Sequence, residues 1–525
     1  MVVCSCLLIL IANRAADAQE PVSADVLLKG GIIYDGSGKP GVAGDVAIRG
    51  DRIVGVGQFP IGRIGILLDC RGLAVAPGFI DLHNHSDRQV VNRQTRANIN
   101  FLMQGCTTIV TGNCGSGPID VAEYYDQIDA AGAGTNVAHL LPQGSLRDWV
   151  METANRRPTR KELGRMRKLA KQAMRDGAWG MSTGLIYVPS SYANQDELVK
   201  IAKVVAAGGG IYASHIRNEN VALLVAVNEA MEIGRRAGLP VHISHFKSTG
   251  PESWGLVLRA AELIEQARQS GQTVTADQYP YIASSTSLDA ILIPPWARAG
   301  GRQALIKRFD DPELSQRIRQ AMLDNFKKRN GGENIQISRY AQRPEWVGKR
   351  LTEIAQAENL EPLELAIQIS RNGGASIVNF SMSEDDVRQV MQIPWVATAS
   401  DGRAYLPGAD RPHPRNYGTF ARKLGYYAIR EKVLTLQQAV RSASGLPAEI
   451  LGLSDRGTLH TGLKADVVVF DPQTFIDVAT FKDPHQYSRG AKYVFVNGRP
   501  AVFDGHPTGA LAGISLKHPY KPDSD

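Results

Sequence analysis

The 525-residue chain has only five cysteines. Two of them, Cys4 and Cys6, fall in the first twenty residues, MVVCSCLLILIANRAADAQE. That stretch has an apolar core of signal-peptide length followed by Ala16-Asp17-Ala18, a small-x-small cleavage pattern, although it lacks a basic n-region. A signal over 1–18, and hence secretion or residence in a periplasm, is the expectation. Cleavage would leave Cys70, Cys106 and Cys114, an odd number that is no disulfide framework; a small core hydrophobe or, in an oxidising compartment, a Cys106–Cys114 bridge competes with a functional role for Cys114. No later apolar run is long enough to span a bilayer. Dense Lys/Arg stretches with interleaved aromatics are also missing, and a net charge of +7 is small for this length, so a nucleic-acid partner is not expected.

What is present fits a globular protein, with 43% hydrophobic and 21% charged residues. ADVLLKGGIIYDGSG and GDVAIRGDRIVGVG alternate apolar and polar residues around glycine turns, as short antiparallel strands do, and KADVVVFDP and AKYVFVNGRP repeat that texture near the C-terminus. The two ends, 19–76 and 450–515, are therefore predicted to form one small β-domain interrupted by the centre. Between them, over 77–449, β-branched runs alternate with amphipathic helical patterns such as LGRMRKLAKQAMRDG and LLVAVNEAMEIGRRAG. The count, about eight βα units, is the number that closes a parallel (β/α)₈ barrel. A segment over 285–347 is too long for an ordinary connection and is read as an insertion at the mouth, either a lid or a decorative helical insert.

Side chains alternate along a barrel strand, and chemistry sits at the strands' C-terminal ends. By that rule Asp81, His83 and His85 share one face in FIDLHNH, Cys114 ends IVTGNCG, His215 ends GIYASHI, His245 ends PVHISH and Asp401 ends VATASD. A lone histidine at such a place is ordinarily structural. Five strands ending in ligand-type residues at one rim point instead to a metal centre, and imidazole with thiolate favours a borderline-soft divalent ion such as zinc. His242 falls on the opposite face from His245, toward the helices, and is left out, as are His139, His413 and the four C-terminal histidines.

PGFIDLHNHSD is similar to the first metal motif of the amidohydrolase superfamily. NCG, GMSTGLIYVPSSYA, SHIRNE, HISHFKSTG, DQYPYIASST, SDG and HPRNYGTF follow in order and together resemble its N-acyl-D-amino-acid deacylases. The resemblance implies a distorted (β/α)₈ barrel with a small β-sandwich and hydrolysis of the amide of a small-molecule N-acylated D-amino acid. It implies a tight zinc ion on Cys114, His215 and His245, with a weaker second position involving His83 and His85, where the cysteine replaces the carboxylated lysine of other members. It also implies Asp401 as the acid–base group, and Lys247, Tyr279 and Arg415 as a clamp for the α-carboxylate. Register in YPY leaves Tyr281 as an alternative to Tyr279. The rival readings are cyclic-amide hydrolysis, a dipeptidase acting on D-residues, and a metal-binding barrel without catalysis.

Overall fold

The computed structural model describes residues 20–520. The expected signal sequence and Cys4 and Cys6 lie outside that range. Eight strands follow the predicted units: β1 (Phe79–Asp81), β2 (Cys106–Thr111), β3 (Asn136–His139, running on through Leu141–Pro142), β4 (Gly180–Gly184), β5 (Ile211–His215), β6 (Val241–Ile243), β7 (Val274–Gln278) and β8 (Val396–Thr398). All pair in parallel with their neighbours, β1 to β3 in one sheet and β3 to β8 in the next, with the change of sheet at Leu140. The ring closes beyond the ends of β8 and β1, where Asp401 N–H donates to His83 O at 2.8 Å and His85 N–H donates to Gly402 O at 2.7 Å. Closure leaves no unpaired edge, and it places the residues after β1 and β8 side by side.

Asp81, grouped by alternation with His83 and His85, belongs to this seam rather than to the rim chemistry. Its carboxylate accepts from Ser400 N–H (2.8 Å), Ser400 Oγ (2.5 Å) and Asn84 Nδ2 (2.8 Å). Those bonds satisfy an otherwise costly buried carboxylate and fix the two strand ends that carry His83 and Asp401.

Both chain ends contribute to one nine-stranded sheet, with strands from Val22–Ile33 to Ala74–Pro77 on one side and Val467–Phe470 to His506–Pro507 on the other. Strand Val22–Ile33 forks, pairing with Ile61–Asp69 along its first part and with Ala74–Pro77 at its end. Period-two alternation then buries Val26, Leu28, Val46 and Ile48 in one cluster with Val467, Val469 and Phe495. Past this sheet the chain returns to the barrel, where Leu516 N–H donates to Val137 O at 2.8 Å.

The insertion is longer than 285–347. Its three-stranded antiparallel sheet joins Ala283–Ser287, Ile335–Arg339 and Ser376–Phe380, and its own apolar cluster runs from Leu288 to Ile377. The last strand pairs back onto the first, Ala283 opposite Phe380, so the helices Leu351–Ala357 and Pro362–Arg371 are inside the insertion. With Ile335, Ile337, Leu351, Leu365 and Ile377 fully buried, at ~1.5–3 kcal/mol each, it is a subdomain with its own core.

Candidate metal centre

Strand β2 delivers Cys114 through a turn that an ordinary residue could not make. Gly112 has φ +77°, and a Cβ there would lie 2.0 Å from Leu140 O. Cys114 itself has φ 52°, His245 φ 38° and Asp401 φ 49°. Left-handed backbone in non-glycine residues is sparsely populated and persists only where surrounding bonds enforce it, and here it turns three side chains from the strand ends toward one point.

The donor atoms converge. Cys114 Sγ lies 3.3 Å from His83 Nε2, 3.6 Å from His215 Nδ1 and 3.8 Å from His245 Nε2, and the last two nitrogens are 2.7 Å apart. His85 Nε2 and His83 Nε2 lie 3.1 and 3.6 Å from Asp401 Oδ1. The atoms form three overlapping triads, Cys114–His215–His245, His83–His85–Cys114 and His83–His245–Asp401, each with its ligand atoms within 4.8 Å of one another. Lone pairs of a thiolate and several imidazoles repel when packed this closely, so a cation is the group that fits the donor set. Burial by itself raises a thiol's pKa, yet His83 and the bonds from His215, His245 and His83 outweigh it and hold Cys114 well below the ordinary cysteine range. Cys106, by contrast, is a buried free thiol at the start of β2, with its Sγ directed to Thr108 O, and forms no disulfide with Cys114.

The cationic residues stand beside this cluster. Arg415 Nη1 is 2.8 Å from Asp401 Oδ2 as an ion pair, and its guanidinium lies 4.7 Å above the Tyr279 ring. Lys247 Nζ is 5.6 Å from the same ring. Tyr279 therefore lies near both cations, whereas Tyr281 packs edge-on to His413 and Phe481 and carries Arg422. Burial disfavours charge on Asp401, but Arg415 and the surrounding imidazoles prevail and keep it well below the usual carboxylate range.

Two carboxylates escaped the sequence reading although they lie within the quoted motifs. Glu219, four residues past His215, is 2.9 Å from His245 Nδ1 and 2.5 Å from Lys247 Nζ. Asp277, at the end of β7, is 2.8 Å from His242 Nε2 and 3.5 Å from His83 Nδ1. Carboxylates that face a ligand's far nitrogen orient the ring and fix its tautomer. His242 is thus outside the three triads but tied to them through Asp277, not turned to the helices.

Two cavities meet over the cluster. One of about 580 Å³ is lined by His85, Cys114, Arg403 and Arg415 with several serines. The other, about 410 Å³, is lined by His215, Lys247, Tyr279 and the insertion's Arg298 and Arg329. Tyr187 and Asp401 border both.

The sequence profile of the amidohydrolase family matches residues 67–502. The chain belongs to that family. Within it, a D-aminoacylase of Alcaligenes xylosoxydans xylosoxydans is 36% identical over 517 residues, covering 94% of this chain and 97% of that protein. An N-acyl-D-glutamate deacylase of the same organism is 35% identical, covering 94% and 96%. The structure of the N-acyl-D-glutamate deacylase from Bordetella bronchiseptica, complexed with zinc and a phosphonate that mimics the tetrahedral intermediate, matches with a TM-score of 0.80 at 32% identity, over 94% of this chain and all of that one. This amidohydrolase has the same barrel and added β-domain.

Proposed function

We propose that this amidohydrolase hydrolyses N-acyl-D-amino acids to a carboxylate and a free D-amino acid. The observation that carries the reading is the convergence of Cys114, four histidines and Asp401 directly beside the Lys247–Tyr279–Arg415 group. Cys114, His215 and His245 would hold the tight zinc ion, with His83 and His85 serving a weaker position. Zinc held there would supply Lewis-acid polarisation of the amide carbonyl and would make water more acidic. Asp401, at the border of both cavities, is placed to accept the water's proton and return it to nitrogen, because an amide anion is too basic to leave unprotonated. Arg415 and Lys247 bind the α-carboxylate, and Tyr279 backs both cations.

The second cavity favours an acidic amino-acid side chain. Arg298 and Arg329 line it, each with its Nε buried and unbonded, and neither forms an ion pair among the described residues. Among the described residues the Arg298 side chain bonds only to Ile186 O and the Arg329 side chain only to Asn325 O. Guanidiniums held this way, with Asp289 and Glu252 nearby but in no direct ion pair with them, suit a carboxylate ligand, in keeping with the N-acyl-D-glutamate deacylase among the relatives.

The test is a panel of N-acetyl-D- and L-amino acids, hydantoins and dihydroorotate assayed with the zinc-loaded protein. Turnover confined to the D-acids supports the reading, and turnover of the cyclic amides alone replaces it. The N-terminal run further supports export, which N-terminal sequencing of the protein expressed from the full chain tests. An intact Met1 contradicts it.

A further inference from the structure

His242, the histidine that alternation sets aside, has both ring nitrogens engaged. Its Nε2 lies 2.8 Å from Asp277 Oδ2 and its Nδ1 2.9 Å from Thr275 Oγ1, and the residue is 3% exposed. Asp277 is 1% exposed and makes no ion pair with lysine or arginine among the described residues. Its side-chain partners are instead three histidines. Oδ2 faces His242 Nε2 and, at 3.5 Å, His83 Nδ1, while Oδ1 accepts from the backbone N–H of His245 at 2.7 Å. We infer that Asp277 is a positioning residue for two ligands of the metal centre at once, and that His242 acts through it by holding its carboxylate in place.

Each contact has a geometric consequence. Buried His83 Nδ1 makes no hydrogen bond to any described residue and faces the Asp277 carboxylate at 3.5 Å, so Asp277 is the acceptor placed to keep the proton on Nδ1 and leave Nε2 directed at Cys114 and Asp401. His245 sits at φ 38°, and the bond from its N–H to Asp277 offsets the strain of that conformation where the chain leaves β6. An ionised carboxylate only accepts, so His242 donates from Nε2 and its Nδ1 accepts from the Thr275 hydroxyl, which fixes its tautomer. A residue that merely filled space beneath the rim would require neither bond.

The inference rests on the metal-centre reading, and the experiment separates the two. Zinc affinity is measured on the apoprotein by competition with a chromophoric chelator for wild type, Asp277→Asn, His242→Leu, His242→Gln and the Asp277→Asn/His242→Leu double variant. Asp277→Asn should weaken zinc binding by about 10- to 100-fold, the range typical for removing a partner of a metal-ligating histidine. His242→Leu should lose part of that, and the double variant should be no weaker than Asp277→Asn alone, since one residue acts through the other. His242→Gln, whose amide can still donate to Asp277, should lie nearer wild type than His242→Leu. If the Asp277 variants do not fold, the Leu and Gln variants of His242 still decide, because a space-filling role predicts equal zinc affinity in both. Affinities within about twofold of wild type, or losses that add in the double variant, overturn the inference while leaving the metal centre intact. A wild-type protein that does not bind zinc overturns both.

Discussion

Converting the α-carboxylate of an N-acetyl-D-amino acid to a primary amide removes one negative charge and leaves the rest of the substrate in place. In the free enzyme neither cation is bare, since Arg415 is 2.8 Å from Asp401 and Lys247 is 2.5 Å from Glu219. The arriving carboxylate therefore gains one charge-assisted contact with partly neutralised cations rather than two full ones. Such a contact is worth about 1.5–3 kcal/mol, since both side chains are buried and water screens them little. At 1.4 kcal/mol per decade, kcat/KM for the acid should exceed that for the amide by about tenfold to a hundredfold. In Arg415→Leu both substrates should slow, and their ratio should fall well below the wild-type value to the part that Lys247 alone supplies. Initial rates of amine release, followed for the acid and the amide in both proteins, give all four values. Equal kcat/KM for acid and amide in wild type would refute the reasoning and favour a cyclic amide as substrate.

Asp401→Asn should retain zinc measured by metal analysis, as the Cys114–His215–His245 triad is intact, while kcat falls by on the order of 10² or more. Near-normal turnover would make Asp401 structural. Arg298→Met and Arg329→Met should each lower kcat/KM for N-acetyl-D-glutamate by about tenfold with little change for N-acetyl-D-leucine, and an equal change for both substrates would refute an acidic side-chain pocket. Lys423 is fully buried with its Nζ unbonded, and burial depresses its pKa to about 7. The folded state therefore binds fewer protons than the unfolded chain between about pH 7 and the normal lysine value near 10.4, and stability is lost as pH falls across that window. Lys423→Met should accordingly raise Tm at pH 7 and lose that advantage toward pH 10, as scanning calorimetry at both pH values would show. A constant difference would mean that Lys423 keeps its proton in the fold.

The cluster of candidate ligands was legible because strand periodicity and the barrel rule act locally. His83, His85, Cys114, His215, His245 and Asp401 each follow a short apolar run, and the structure places all six at one rim. Asp277 and Glu219 were not, since a carboxylate near a strand end has the same local signature whether it caps a turn or faces a ligand's distal nitrogen. Arg298 and Arg329 reach the second cavity only through the packing of the insertion, which no periodicity encodes. The insertion's limit was misplaced for a related reason. Helices Leu351–Ala357 and Pro362–Arg371 have the amphipathic pattern of barrel helices, and only the pairing of Ser376–Phe380 with Ala283–Ser287 assigns them to the insertion. Asp81 was grouped with the histidines because alternation reports which face a side chain occupies, not which partner it meets there.

The most direct test of the account is to titrate zinc into metal-free wild type and Cys114→Ala while following D-glutamate release from N-acetyl-D-glutamate, with the L-enantiomer alongside. Wild-type activity toward the D-substrate should rise until the tight site fills, the L-substrate should stay near background, and Cys114→Ala should neither retain tight zinc nor recover activity. Turnover that ignores zinc, or a Cys114→Ala protein that binds zinc and works as wild type does, would contradict it.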